Sequence, residues 1–225
     1  MLNLICRIKN CLLKAFVFSA LSLMFFSCAD DAADAVNASG TVILDFNDSD
    51  GNGDIRLAVF IQTASLVQRA DYFTVQNEET GWVWNVGSPD VFEEGGKKYV
   101  FCDNLYAPDK KIIPQGRYNV VYTDAAGNSD EAAFTLSFND KITEVKGNEV
   151  KALLTPGNEY IAVYDQENEL LYMGKKKNNW NSKKAILKEY KVAYKTRVCY
   201  SNPSNTVMCF MPYEFIEEVK TDNEG

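Results

Sequence analysis

Short runs in which apolar and polar residues alternate follow one another from residue 41 to about 139. TVILDF (41–46) and DIRLAVFIQ (54–62) bracket a loop of Asp, Asn and Gly. YFTVQ (72–76), GWVWNV (81–86), KKYVFCDNLYA (97–107), RYNVVYTDA (117–125) and EAAFTLSF (131–138) come after them. Each run is rich in β-branched and aromatic residues, which pack well on a pleated surface, and each is set off by Gly, Pro, Asn or Asp. About seven such runs in roughly a hundred residues predict an all-β sandwich.

After residue 140 the pattern changes. KITEV, EVKALL, YIAVYD and ELLYMG read as strands, with DQENE as a turn before the last. In NSKKAILKEYKVAYK (181–195), Ile186, Leu187, Tyr190, Ala193 and Tyr194 fall at helical spacing behind Asn181 or Ser182 as N-cap. RVCYS and TVMCFMPYEF close the chain as a hairpin. The expectation is a mainly β chain: a sandwich over 41–140, an independent small α+β unit with one helix over 141–220, and a tail at 221–225.

One stretch sharpens the fold. PQGRYNVVYTDAAGN (114–128) contains Gly116, Tyr118, Val120, Tyr122, Asp124, Gly127 and Asn128. It resembles the G-x-Y-x-V-x-Y-x-D-x-x-G-N run in the late-strand region of bacterial immunoglobulin-like domains. The resemblance implies an immunoglobulin-like β-sandwich with Tyr118 as a tyrosine corner, its hydroxyl returning to the preceding backbone. Val120 then stands where antibody domains carry a disulfide cysteine, so that bridge is absent. Tyr118, Val120 and Tyr122 share one sheet face. A fold of this kind hosts many functions and names none.

The N-terminus carries an address. Residues 1–14 include Arg7, Lys9 and Lys14 and no acid, and AFVFSALSLMFFS (15–27) holds no charge. A basic start followed by a short apolar run is the layout of a secretory signal peptide (1–27). It is shorter than the roughly 20 apolar residues a membrane-spanning helix needs. The run ends at Ser27-Cys28, which resembles a bacterial lipobox, where a small residue precedes a cysteine that is diacylated and becomes N-terminal. Phe25 and Phe26 depart from the aliphatic and small residues usual there. The resemblance implies a bacterial envelope lipoprotein, in plan like those of spirochaetes and other diderms, exported and anchored by Cys28, with the outer membrane as its site. Cleavage after Ala29, with Ser27-Cys28-Ala29 as the small-x-small site, is the other reading and gives simple secretion. ADDAADAVNASG (29–40) is small and acidic, so residues 28–40 read as lipid attachment and tether, reaching roughly 40 Å when extended.

Charge narrows the partners. The chain has 23 Lys and Arg against 31 Asp and Glu, a formal net charge of −8, and loss of residues 1–27 removes three bases and no acid. Such a protein is repelled by nucleic acid and by an anionic membrane surface, so its contact with the membrane would run through the lipid. With no histidine, the commonest general base and every Ser-His-Asp or Cys-His arrangement are missing. No phosphate-binding Gly-rich loop stands between a strand and a helix. These features point to a protein that is not an enzyme.

Four groups of residues remain as candidates. Cys199 and Cys209 flank the turn-like SNPSNT, so a disulfide across a hairpin is expected, with Cys102 a buried thiol; three buried thiols is the alternative. DSDGNGDI (48–55) places Asp48, Asp50, Asn52 and Asp54 in a loop whose first half follows a calcium-binding spacing. Val59 replaces the closing Glu, and the plain alternative is a hairpin loop of turn-forming residues. Calcium is the one cofactor the sequence raises. KKKNNWNSKK (175–184) is a basic island in which Lys175, Lys176, Lys177, Trp180, Lys183 and Lys184 either hold an anion at the start of the helix or form a solvated loop. Trp82 and Trp84 alternate on one strand face, as a sandwich core or as a platform for a sugar. The function expected is binding or adhesion to a protein or glycan partner, with a structural accessory subunit of an envelope complex as the second possibility.

Overall fold

The computed structural model of the protein describes residues 33–64, 70–107 and 112–216. The signal segment, Cys28 and the tail lie outside the described residues. The strands are β1 (Ala35–Asp45), β2 (Asp54–Thr63), β3 (Ala70–Asn77), β4 (Val83–Gly87), β5 (Asp90–Glu94), β6 (Lys97–Leu105), β7 (Gly116–Asp124) and β8 (Ser129–Leu136). After them come β9 (Asn158–Tyr164), β10 (Leu170–Gly174), β11 (Lys195–Ser201), β12 (Val207–Phe210) and β13 (Glu214–Phe215).

Two sheets face each other. The larger runs β10-β9-β11-β12-β1-β2-β6-β5, with β13 paired to β11, and the smaller runs β4-β3-β7-β8. The orders β1-β2-β6-β5 and β4-β3-β7-β8 are those of an immunoglobulin-like sandwich, strands A-B-E-D on one sheet against C′-C-F-G on the other. Leu57, Val59 and Ile61 of β2 meet Phe73 and Val75 of β3 and Tyr118, Val120 and Tyr122 of β7 in one core, each side chain essentially fully buried. Each such burial stabilises the fold by about 1.5–3 kcal/mol before the entropy of ordering is subtracted. The Tyr118 hydroxyl donates to the Pro114 carbonyl, forming the expected corner. Asp124 closes the turn after β7, accepting from the Ala126 and Asn128 N–H groups at 2.9 and 3.0 Å.

Three expectations need correction. The first concerns the tether. Residues 35–40 belong to β1, which pairs with β2 from Ala35↔Thr63 to Asp45↔Asp54. Ala35, Ala38 and Gly40 are buried, so their small size serves close packing rather than flexibility. A Cβ on Gly40 would stand 2.2 Å from the Phe134 ring, which itself stacks on Tyr118 at 4.9 Å.

The second concerns the boundary at residue 140. β12 pairs in parallel with the far edge of β1, from Val42↔Val207 to Asp45↔Phe210, and β11, β9 and β10 extend the sheet beyond it. Val207 and Cys209 share the core with β2 and β7, and the described residues from Ala33 to Ile216 belong to one compact unit. Of the expected unit 141–220, the described residues, 141–216, are therefore a continuation of the larger sheet and not an independent domain. Its strands cover an edge that would otherwise expose unpaired backbone groups.

The third concerns local structure. KITEV and EVKALL form helical turns, Asp140–Thr143, Gly147–Glu149 and Val150–Leu153. Ile142 and Val145, then Val150 and Leu153, are three apart, and three-residue spacing suits turns of helix better than a strand. The later helix spans Lys183–Glu189, half the predicted length, with Ser182 as N-cap. It ends because Tyr194 donates its N–H to the Tyr164 carbonyl at 2.8 Å and draws the chain into the sheet. The strand β5, missed in the sequence, is joined to β6 through Gly95 and Gly96, whose φ values of 57° and 75° suit a tight hairpin.

Gly40→Ala is expected to destabilise the fold by about 1–3 kcal/mol through overpacking, measured by urea unfolding. Phe134→Leu, added to it, should recover part of the loss. Equal stability of Gly40→Ala and wild type would contradict this packing of β1 on β8.

Candidate functional site

A cleft of about 550 Å³ opens at the end of the larger sheet where β1 finishes. Tyr200 of β11 and Met211 and Tyr213 beyond β12 form its apolar side, and Asp48, Asn148 and Lys151 its polar side. The loop after β1 is tied down before it reaches the cleft. Asp48 accepts from the Asp50 N–H at 3.1 Å, and the Asn148 N–H donates to the Ser49 carbonyl at 2.7 Å. The Asn148 side-chain amide donates to Asp50 at 2.8 Å. Lys151 pairs with Glu159 at 2.9 Å and lies 5.6 Å from the centre of the Tyr200 ring. Its bond to Glu159 raises the lysine pKa, so the ammonium stays charged. Burial pushes the Tyr200 hydroxyl pKa up, leaving it neutral at physiological pH. Aromatic faces, an amide and one ammonium suit the holding of a ligand by stacking and hydrogen bonding.

Of the candidate site residues singled out in the sequence, Asp48 lines this cleft and the others fall elsewhere. Asp48, Asp50, Asn52 and Asp54 are engaged separately: Asp48 within its own loop, Asp50 with Asn148, Asn52 in a bridge to Lys146, Asp54 at the start of β2. Among the described residues no group of three or more His, Cys, Asp or Glu is placed to hold a metal ion. The loop forms the rim of the cleft.

The basic island does not converge on an anion. Trp180 is 1 % exposed, in a small core with Ile161, Val163 and Ile186. Lys177 pairs with Glu189, and Lys183 donates to the Phe215 carbonyl at 2.6 Å. Lys175, Lys176 and Lys184 are exposed. The carboxylate of Glu189 stands where an anion would have to sit; it accepts the Trp180 indole N–H at 3.0 Å.

Trp84 of the edge strand β4 and Trp82 just before it flank the sandwich core, their rings 6.2 Å apart. The Trp84 indole N–H donates to the Tyr106 carbonyl at 2.8 Å. The centre of the sandwich is filled by Phe73 and Val75 of β3 instead.

The expected disulfide is contradicted by register. Cys199 lies opposite Phe210 and Cys209 opposite Tyr200. One residue of offset sends the thiols to opposite faces: Cys209 into the main core, Cys199 into a cluster with Ile43, Ala58 and Phe210. Cys102, Cys199 and Cys209 are free thiols.

Two features had no sequence candidate. On the outer face of the larger sheet, Phe60 stacks on Phe101 at 5.5 Å and Phe92 on Tyr99 at 4.8 Å, all four half-buried. Asp45 of β1 binds Arg56 of β2 at 2.9 Å and Arg197 of β11 at 2.7 Å. Alternation along β2 and β6 held the signal for the first, since Phe60, Phe101 and Tyr99 fall out of phase with the buried positions.

No family model matches the chain, and no curated protein matches it. A crystal structure of murine CEACAM1b is similar over 80% of this chain and 99% of that one, at 10% identity and a TM-score of 0.16. A likeness that loose bears on neither fold nor function; strand order and the tyrosine corner carry the fold.

Burial pushes the Cys199 thiol from an ordinary 9.0 up to about 12 and raises Cys209 as well. Their neutral forms fit the fold below pH 9, and stability is lost as the pH climbs from 9 towards 12. At pH 8, iodoacetamide is expected to spare Cys199 and Cys209 in the native protein and to label both, without reductant, in urea. A labelling pattern in urea that required prior reduction would restore the disulfide.

Proposed function

We propose that this chain is a lipid-anchored protein of the bacterial cell envelope, attached to the outer membrane through Cys28. Its role is non-catalytic binding of a protein or glycan through the cleft beyond β1. One observation carries the reading, the order of features along a single strand. The compact unit begins at Ala33, and the cleft opens just past Asp45, where β1 ends. Five peptide links from Cys28 to Ala33 extend no more than about 18 Å, so the start of β1 stays beside the membrane. Its 11 residues carry the cleft away by about 35 Å. The chain's acidity keeps nucleic acid and anionic lipid off that surface.

A second reading has support of its own. The four stacked rings on the outer face, Phe60, Phe92, Tyr99 and Phe101, suit an accessory subunit of an envelope complex that lies flat against a larger partner. The short reach from Cys28 favours a partner close to the membrane.

Labelling with a palmitate analogue and partition into Triton X-114 test the anchor. Wild type is expected to take label and enter the detergent phase, and Cys28→Ala to lose both properties. An unlabelled, aqueous wild type would mean simple secretion. On intact cells, protease cleavage of the protein with a periplasmic marker spared supports an outward-facing binder. Protection until the outer membrane is opened moves the reading to the accessory subunit.

A further inference from the structure

Between β10 and β11 the chain builds a three-walled aromatic box. Tyr172 comes from the edge strand β10, Trp180 from the following loop, and Tyr190 from the residue that caps the helix Lys183–Glu189. The Tyr172 and Trp180 rings are 4.9 Å apart and inclined at 71°. Tyr190 is 6.0 Å from each, at 44° to Tyr172 and 82° to Trp180. These inclinations make walls around a space rather than a stack. The Lys177 ammonium occupies that space, 4.8 Å from the centre of Tyr172, 5.1 Å from Trp180 and 5.5 Å from Tyr190. Glu189 pairs with it and also holds the Trp180 indole N–H at 3.0 Å.

Two properties set the box apart from an ordinary surface ion pair. Its deepest wall is fixed, because Trp180 is 1 % exposed and packed with Ile161, Val163 and Ile186. Its occupant is not, because the Lys177 side chain is 33% exposed, sits on a loop, and is held by one carboxylate, itself 37% exposed, and by the half-buried Tyr190. Exposed pairs of this kind are weak and screened by salt. Three ring faces and a carboxylate are also what a cation without N–H groups requires, since it is attracted by ring quadrupoles and charge alone.

We propose that Tyr172, Trp180, Tyr190 and Glu189 form a binding site for a quaternary ammonium group of the choline type, with Lys177 as a resident plug that the ligand displaces. The proposal stands apart from the cleft and from the anchor. Apparent affinity falls by the fraction of molecules whose box is open, so removing the plug tightens binding.

The test is a nuclear magnetic resonance titration of the Trp180 indole N–H with tetramethylammonium chloride, against sodium chloride at equal concentration. Wild type is expected to respond to tetramethylammonium only. Lys177→Ala should bind about tenfold tighter or better, and Lys177→Ala with Tyr172→Leu should lose the response. An unmoved indole in folded Lys177→Ala, an equal shift with sodium, or indifference to Tyr172→Leu overturns the proposal. If Lys177→Ala does not fold, Lys177→Gln and the wild-type titration carry the same test, and an unmoved indole in both overturns it. Two sources share this chemistry. Co-sedimentation with phosphatidylcholine but not phosphatidylglycerol vesicles, lost in Tyr172→Leu, assigns a lipid headgroup; titration by free choline without vesicle retention assigns a soluble compound.

Discussion

The double pairing of β1 is the constraint on which the rest depends. One edge of this strand meets β2 in antiparallel register and the other meets β12 in parallel. Without the second pairing, β9 to β12 would have no sheet to join, and their apolar faces would need another cover. Asp45, at the end of β1, reinforces the junction from the side. It holds Arg56 of the sandwich and Arg197 of the extension, 152 residues away in the chain. The two guanidinium side chains are each 12% exposed and Asp45 26%, so each charge has a partner in a region where an unpaired one would be costly. Arg197 also lies 4.1 Å over the Phe210 ring, which spreads its contact onto β12.

This junction explains where the binding features fall. The cleft exists because the sheet is wider than an immunoglobulin-like sandwich, and Tyr200, Met211 and Tyr213 belong to the added strands and their connections. The aromatic box likewise belongs to the extension, at its outer edge, where among the described residues no further strand pairs with β10. The sandwich itself supplies a rigid base and the loop that rims the cleft. The arrangement puts the box, and the aromatic side of the cleft, on the part of the protein that the sandwich fold does not require.

Much of the sandwich was legible. Alternation located six of the eight strands closely, and Gly116 to Asn128 foretold the tyrosine corner, because that bond is local. Ser182 was readable as the N-cap position from its residue type alone, although its side chain makes no capping bond to the helix. Pairing between distant strands was not legible. Nothing near Val207 announces that it lies beside Val42, so the extension read as a separate unit. The thiols of Cys199 and Cys209 misled because a hairpin places residues near one another without fixing which face each takes; one residue of register decided that. Residues 35–40 looked like a tether since their small side chains carry no period, yet the absence of bulk is what lets Phe134 lie against Gly40. The box was hidden in a different way. Lys177 was read with its neighbouring lysines as part of a basic island, while its partner Glu189 lies on the far side of a helix whose length had been overread.

Hydrogen exchange resolved by peptide is the most direct test that sandwich and extension are one cooperative unit built on β1. Peptides covering β7 and β8 are expected to open together with those covering β9, β11 and β12, at the same free energy and with the same denaturant dependence. Exchange in β9, β11 and β12 through a separate opening, at much lower free energy and with a smaller denaturant slope, would contradict the account and return the extension to the status of an independent unit.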